Sequence, residues 1–152
     1  MGSKFKVKVK RKPDSAITRL RKIAKTFNAA GAVKVGLPKG SNDYPDGTSV
    51  IMVGLVHEFG SPSKGIPERS FLRSTIVEER REYKELFTKL TKALLNGKMS
   101  MTKALGIVGL QVQTDVQSKI TSLESPALKH REGNPLVDTG HLRRSITYVV
   151  NE

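Results

Sequence analysis

The sequence predicts an α+β domain, in which a small mixed or antiparallel sheet packs against helices and a long helical hairpin supplies most of the core. Segments near residues 4–11, 32–37 and 146–150 alternate or are rich in β-branched residues, as strands are. Residues 70–96 and 100–123 instead repeat apolar residues at helical spacing. The 152 residues fit a single domain, 1–152, long enough to bury a core.

Lys4-Phe5-Lys6-Val7-Lys8-Val9-Lys10 alternates without a break, giving one apolar face and one lysine face. Lysines suit an edge strand because they discourage further pairing. The alternative is that Lys4, Lys6, Lys8 and Lys10 form a positive stripe facing DNA. Pro13-Asp14-Ser15 then breaks the strand and supplies N-cap residues. Ile17, Leu20, Ile23, Ala24 and Phe27 follow at helical spacing, and Gly31 ends that helix. Ala32-Val33-Lys34-Val35-Gly36-Leu37-Pro38 reads as a strand stopped by its proline. Residues 39–48 are rich in Gly, Ser, Asn, Asp and Pro, so an exposed, mobile loop is expected there. From Ser49 to Glu58 apolar density is high, and a short helix packed on the sheet is favoured over a strand.

The next stretch is expected to act as a hinge between two layers. It runs from Val56-His57-Glu58-Phe59-Gly60 through a Gly, Ser and Pro turn to Ile66-Pro67-Glu68-Arg69-Ser70-Phe71-Leu72. Pro67 suits the first turn of a helix, where a missing N–H is harmless. Glu68 would then lie beside the positive end of the helix dipole. In the helix 70–96, Ile76, Tyr83, Leu86, Phe87, Leu90 and Leu94 form the apolar stripe, and Asn96-Gly97 is the stop signal. Residues 100–123 repeat the pattern with Met101, Leu105, Val108, Val112, Val116 and Ile120, so the two helices are expected to pair antiparallel. Gly106 and Gly109 each weaken the second helix by roughly 1 kcal/mol relative to Ala. That implies close approach by another backbone, from this chain or a neighbouring subunit.

Residues 124–138 contain little to bury, and an exposed loop that orders against a partner is expected. His141-Leu142-Arg143-Arg144-Ser145 suits one helical turn, capped by Thr139 or Asp138, with His141 on its exposed side. Ile146-Thr147-Tyr148-Val149-Val150 closes the chain as a strand.

The 27 basic and 14 acidic side chains leave a net charge of +13, which favours a polyanionic neighbour, nucleic acid or an acidic protein surface. With no Cys, disulfides, thiol catalysis and cysteine metal sites are excluded. No apolar run reaches the ~20 residues that span a bilayer, so no membrane role is expected. No apolar stretch follows the positive N-terminus either, so no secretory leader is expected, and a product made and kept in the cytoplasm, or assembled there into something larger, is expected.

His57-Glu58 begins a zinc-helix pattern, but the second His at i+4 is missing because position 61 is Ser. No G-x-S-x-G, Walker or dinucleotide glycine pattern occurs. No catalytic residue, metal ligand, cofactor or small-molecule substrate is therefore expected. Aromatics are few and at core spacing, so any DNA contact would be electrostatic and blind to sequence.

At GLVHEFGSPSKGIPERSFLRST (Gly54 to Thr75) and PLVDTGHLRRSITYVV (Pro135 to Val150) the chain resembles a known family. These are the tail-component and tail-completion proteins of tailed bacteriophages and prophages, which act at the neck where tail meets head. The order of parts is similar too: a Val-rich strand ending in GLP, the HEFG hinge, a helical hairpin, and the DTG-x-L-x-x-S-I-T-Y close. The likeness covers most of residues 32 to 150, and the lysine strand lies outside it.

The resemblance implies a structural virion protein, a homo-oligomer in a hexameric ring at the head-proximal end of the tail. Its implied partners are the tail tube or tail terminator, the head connector, and genomic DNA passing non-specifically through the channel. It carries no catalytic residue. Subunit-interface or hinge roles are expected for His57, Glu58, Phe59, Gly60, Pro67 and Arg69, for Gly106 and Gly109, and for Asp138, Thr139 and Gly140. The alternative is a free-standing basic protein that binds DNA without regard to sequence.

Overall fold

A computed structural model of the chain describes residues 15–28, 31–41, 43–127 and 133–151. It separates into two compact units, Met1–Ala30 and Gly31–Glu152, each described by itself. The first contributes helix α1, Ser15–Asn28, with Lys25 in its last turn. The lysine strand expected at 4–11, with Lys4, Lys6, Lys8 and Lys10, lies outside the described residues.

The second unit is organised around helix α5, Met101–Ser122. Ser100 caps it, its Oγ accepting a hydrogen bond from the Lys103 N–H at 3.2 Å. Ala104, Val108, Val112, Val116 and Ile120 recur every fourth residue and are all buried. This row of side chains meets both strands on one side and the other arm of the hairpin on the other.

The strands are β1, Ala32–Gly36, and β2, Thr147–Asn151, each within a residue of the expected segment. They pair antiparallel, with Val33 opposite Val150 and Val35 opposite Tyr148. Period-two alternation turns the half-buried Val33, Val35 and Tyr148 toward α5, while Lys34 and Val149 face outward.

The helix expected at 70–96 is two helices: α3, Leu72–Glu78, and α4, Arg80–Leu95. Glu79 joins them with ψ near 11°, yet its N–H still bonds the Thr75 carbonyl at 2.9 Å. The joint redirects the axis with little loss of hydrogen bonding. It follows Thr75-Ile76-Val77, a β-branched run that disfavours helix. Both pieces remain antiparallel to α5. Lys119 pairs with Glu78 at 2.8 Å, and the Tyr83 hydroxyl donates to Asp115 at 3.0 Å. The Tyr83 phenol is pushed well up by burial and by that carboxylate.

Helix α2, Val50–Phe59, forms where a short helix is expected, and α6, His141–Ser145, is the single turn near the C-terminus. The 39–48 loop is more constrained than its composition suggests. Tyr44 and Thr48 close a turn at 2.9 Å, and the Asp43 carboxylate accepts the Val50 N–H at 3.2 Å, so the loop caps α2. The 124–138 loop is likewise not waiting for a partner throughout, because Pro135 and Leu136 are buried in this chain's own core.

Candidate functional site

Helix α2 ends at Gly60, where φ is +73°, and an added Cβ would stand 2.9 Å from the Glu68 nitrogen. Both the turn and the crowding require glycine there. Ser61 and Ile66 then exchange backbone hydrogen bonds at 2.8 and 3.0 Å around the turn Pro62–Lys64. This small closed loop returns the chain beside α2, and the Arg69 N–H reaches the His57 carbonyl at 2.7 Å.

The returning segment delivers the start of α3 onto Glu58, a buried residue that is 5% exposed. Its two oxygens accept hydrogen bonds from the N–H groups of Phe71, Leu72 and Arg73, all at 2.9–3.0 Å. The Ser70 hydroxyl donates at 2.8 Å and the Arg73 Nε at 3.0 Å. The first turn of a helix has unpaired N–H donors, and here a carboxylate from an earlier helix satisfies them. Burial pushes the Glu58 carboxyl up, but the N–H groups of Leu72 and Arg73, the Ser70 hydroxyl and the Phe71 N–H together hold it below its usual range.

Pro67 and Glu68 therefore do not occupy the first helical turn, because the helix starts at Leu72, where Glu58 supplies acceptors. Glu68 instead pairs with Arg73 at 2.7 Å on the exposed surface. The Arg73 guanidinium also lies 4.5 Å from the centroid of the Phe59 ring, which is 57% exposed.

Arg69 is buried and donates to the Pro126 and Ala127 carbonyls at 2.7 and 3.1 Å. It thereby ties the start of the 124–138 loop to the hinge. His57 is partly buried, and among the described residues its Nδ1 has no hydrogen-bond partner. Burial, with the charge of Arg69, lowers the His57 pKa and favours neutral imidazole.

His57 faces an open cleft of about 360 Å³ shared with Tyr44, Asp46, Asp138, Thr139 and His141. The two motifs, so far apart in the sequence, thus share one cleft. The expected exposure of His141 is corrected: it is half-buried, its ring 4.5 Å from that of Tyr44. Burial raises the Tyr44 pKa against an opposing Leu142 backbone hydrogen bond, with Asp138 and Asp46 adding to the rise. Thr139 Oγ1 accepts the His141 N–H at 3.3 Å, while Gly140, with φ +71°, is the residue that starts α6. Among the described residues, no three His, Asp or Glu side chains converge on a metal position. His130 lies outside them.

Gly106 and Gly109 are not part of this cleft. At Gly109 an added Cβ would press on the Tyr148 ring, 2.7 Å from Cγ and 2.8 Å from Val33 Cγ2. The close approach is made by side chains of this chain's own sheet, not by a neighbouring backbone. At Gly106 the nearest atom is the Tyr148 hydroxyl oxygen, 4.0 Å away.

Two exposed apolar surfaces escape the sequence reading. One is the outer face of α2, with Met52, Leu55 and Phe59 spaced i, i+3, i+7. The other follows α3 and α4, where Ile76 is 44% and Phe87 50% exposed although both sit in the apparent core stripe. The signal was the width of that stripe, since Tyr83 and Leu90 alone are buried in α4.

Acid should weaken the hinge in two steps. Between the lowered folded pKa of His57 and its ordinary 6.5, the unfolded chain binds more protons, so stability falls as pH drops through that window. Glu58 contributes above its ordinary 4.5, and its share is lost as pH falls through its lower folded value. Urea midpoints measured from pH 8 to pH 3 should show both declines. His57→Leu should remove the first and leave the second.

Compared with protein-family models, curated proteins and solved structures, the chain matches none.

Proposed function

We propose that the chain is a structural subunit of a tailed-bacteriophage virion, a tail-completion or head–tail joining component at the neck. In this reading it forms a homo-oligomeric ring, hexameric by tail symmetry, between the tail tube or terminator and the head connector. It has no catalytic role. The observation that carries the reading is the presence of two unlike exposed apolar surfaces, on α2 and on α3–α4. Single exposed apolar residues are ordinary, but grouped ones mark interaction sites. A ring is built from repeated heterologous contacts, each joining one surface of a subunit to a different surface of the next.

Two further points support it. The residues behind the resemblance build the frame: Glu58 and Gly60 set the hinge, Arg69 secures the loop, and Leu142 and Ile146 are buried. The net charge of +13 suits a wall beside packaged DNA. No helix among the described residues is long and apolar enough to cross a membrane.

The test is the mass of the purified protein by light scattering, with and without isolated tails. A ring, or a monomer that becomes one on meeting tail ends, is expected. The charge surplus also favours a second reading, a free-standing DNA-binding protein. A monomer that ignores tails, yet binds duplex DNA with steep salt dependence, would replace the first reading with that one.

A further inference from the structure

We infer that the two exposed apolar surfaces are the two halves of one contact, the α3–α4 groove of one copy receiving the outer face of α2 from the next. The inference rests on the assembly reading above and names the surfaces that reading leaves unassigned.

The groove is open, about 690 Å³ in volume, with Ile76 and Phe87 exposed along it. Arg80, Lys84 and Lys92 also line it, and no carboxylate does. Among the described residues, none of these three cations is in an ion pair. Arg80 and Lys84 stand one helical turn apart, with Lys92 two turns further on, about 12 Å along the axis. The surface is therefore an apolar track edged with positive charge.

The α2 surface is its complement. Residues 40–63 contain neither Lys nor Arg, although the chain has 27 of them. Within that stretch α2 exposes Met52 and Leu55, the exposed Asp43 caps its N-terminal end, and the exposed Asp46 stands in the preceding loop, at the His57 cleft. Hydrogen bonds from Thr48 lower the Asp46 pKa, so it is charged at neutral pH. At the other end of α2, Arg73 lies over Phe59 but is balanced by Glu58 and Glu68.

Charge decides among the possible pairings. Groove against groove brings together two cation-edged surfaces, and α2 against α2 offers the Asp side chains no Lys or Arg from residues 40–63, so neither pairing balances its charges. Duplex DNA would satisfy the cations but set Ile76 and Phe87 against phosphate, leaving no apolar partner for them. Groove against α2 matches both the charges and the apolar residues. It is also heterologous, the type of contact that propagates into a ring.

The chain has no Cys, so single cysteines report contacts directly. Leu55→Cys and Phe87→Cys both fall at exposed positions and should leave the fold intact. The experiment uses a short bis-maleimide linker under the conditions in which the wild type assembles, with tails present if they are required. Each single variant alone should stay monomeric on denaturing gels. The two mixed should give a covalent dimer and nothing larger, and the double variant should give a ladder. Lys84→Glu in the Phe87→Cys chain should lower the dimer yield several-fold, and raised salt should do the same.

Self-coupling of either single variant as strong as the mixed coupling would overturn the contact. So would a ring seen by light scattering without any mixed dimer, an outcome that leaves the assembly reading standing. Absence of multimers by both methods, tails included, would overturn both. Duplex DNA bound by the wild type and lost in Lys84→Glu, again without mixed dimer, would make the groove a DNA surface instead.

Discussion

Glu58→Ala is expected to destabilise the protein by about 3–5 kcal/mol, as removal of one partner from a buried, charge-assisted cluster does. The N–H groups of Phe71, Leu72 and Arg73 would lose their acceptor at once, and Arg73 would lose the buried one of its two carboxylates. Each orphaned, partly buried donor costs about 1–3 kcal/mol, offset where water can enter. On a unit of this size the loss should appear as a melting temperature lower by about 10–20 °C. Glu58→Gln keeps the volume and one acceptor, so its loss should be smaller. Glu68→Ala is the contrasting case, because its pair with Arg73 is exposed and worth at most about 1 kcal/mol. Calorimetry of the three variants checks the order. A Glu68 effect equal to that of Glu58 would mean that the hinge is held by its surface pair and not by the buried carboxylate.

The second large effect separates two glycines three residues apart on one helix. Gly109→Ala should destabilise by about 1–3 kcal/mol, the usual range for overpacking a filled site. The new methyl would meet the base of the Tyr148 ring and a Val33 methyl, neither of which can swing away without disturbing the sheet. Gly106→Ala should instead stabilise by about 0.5–1 kcal/mol, because helix propensity improves and the space is open. Denaturant unfolding of both variants tests the pair. A neutral or stabilising Gly109→Ala would show that the sheet does not rest on α5 at Gly109.

Helices were legible where periodicity was long. Residues 15–28, 80–95 and 101–122 each show an apolar repeat over several turns, and they are helical. The strands at 32–36 and 147–151 were legible from β-branched residues and a terminating proline. Turn chemistry was legible only in part: of the two residues expected to cap α6, Thr139 accepts the His141 N–H, but the N-cap position itself belongs to Gly140.

The hinge was legible as a place but not as a mechanism. Pro67 and Glu68 have the right types for a first turn, and nothing in their neighbourhood argues against it. The acceptor that set the true start lies at Glu58, 13 positions before Phe71, and only the closed Ser61–Ile66 loop brings it there. The expected exposure of His141 was wrong for a similar reason, since Tyr44 covers it from a loop nearly a hundred residues earlier. Ile76 and Phe87 fit the helical stripe as well as Leu90 does, yet α5 has room for only part of that stripe.

By itself, the sequence determined the helices at 15–28, 80–95 and 101–122, the strands at 32–36 and 147–151, the charge surplus, and the absence of Cys chemistry. These depend on residue type and on periods of two or 3.6, which are local properties. The tertiary structure decided which carboxylate caps α3, which glycine seats the sheet, and which apolar residues stay outside the core. Each of those depends on contacts between residues distant in the chain, whose distances are set only once the layers have packed.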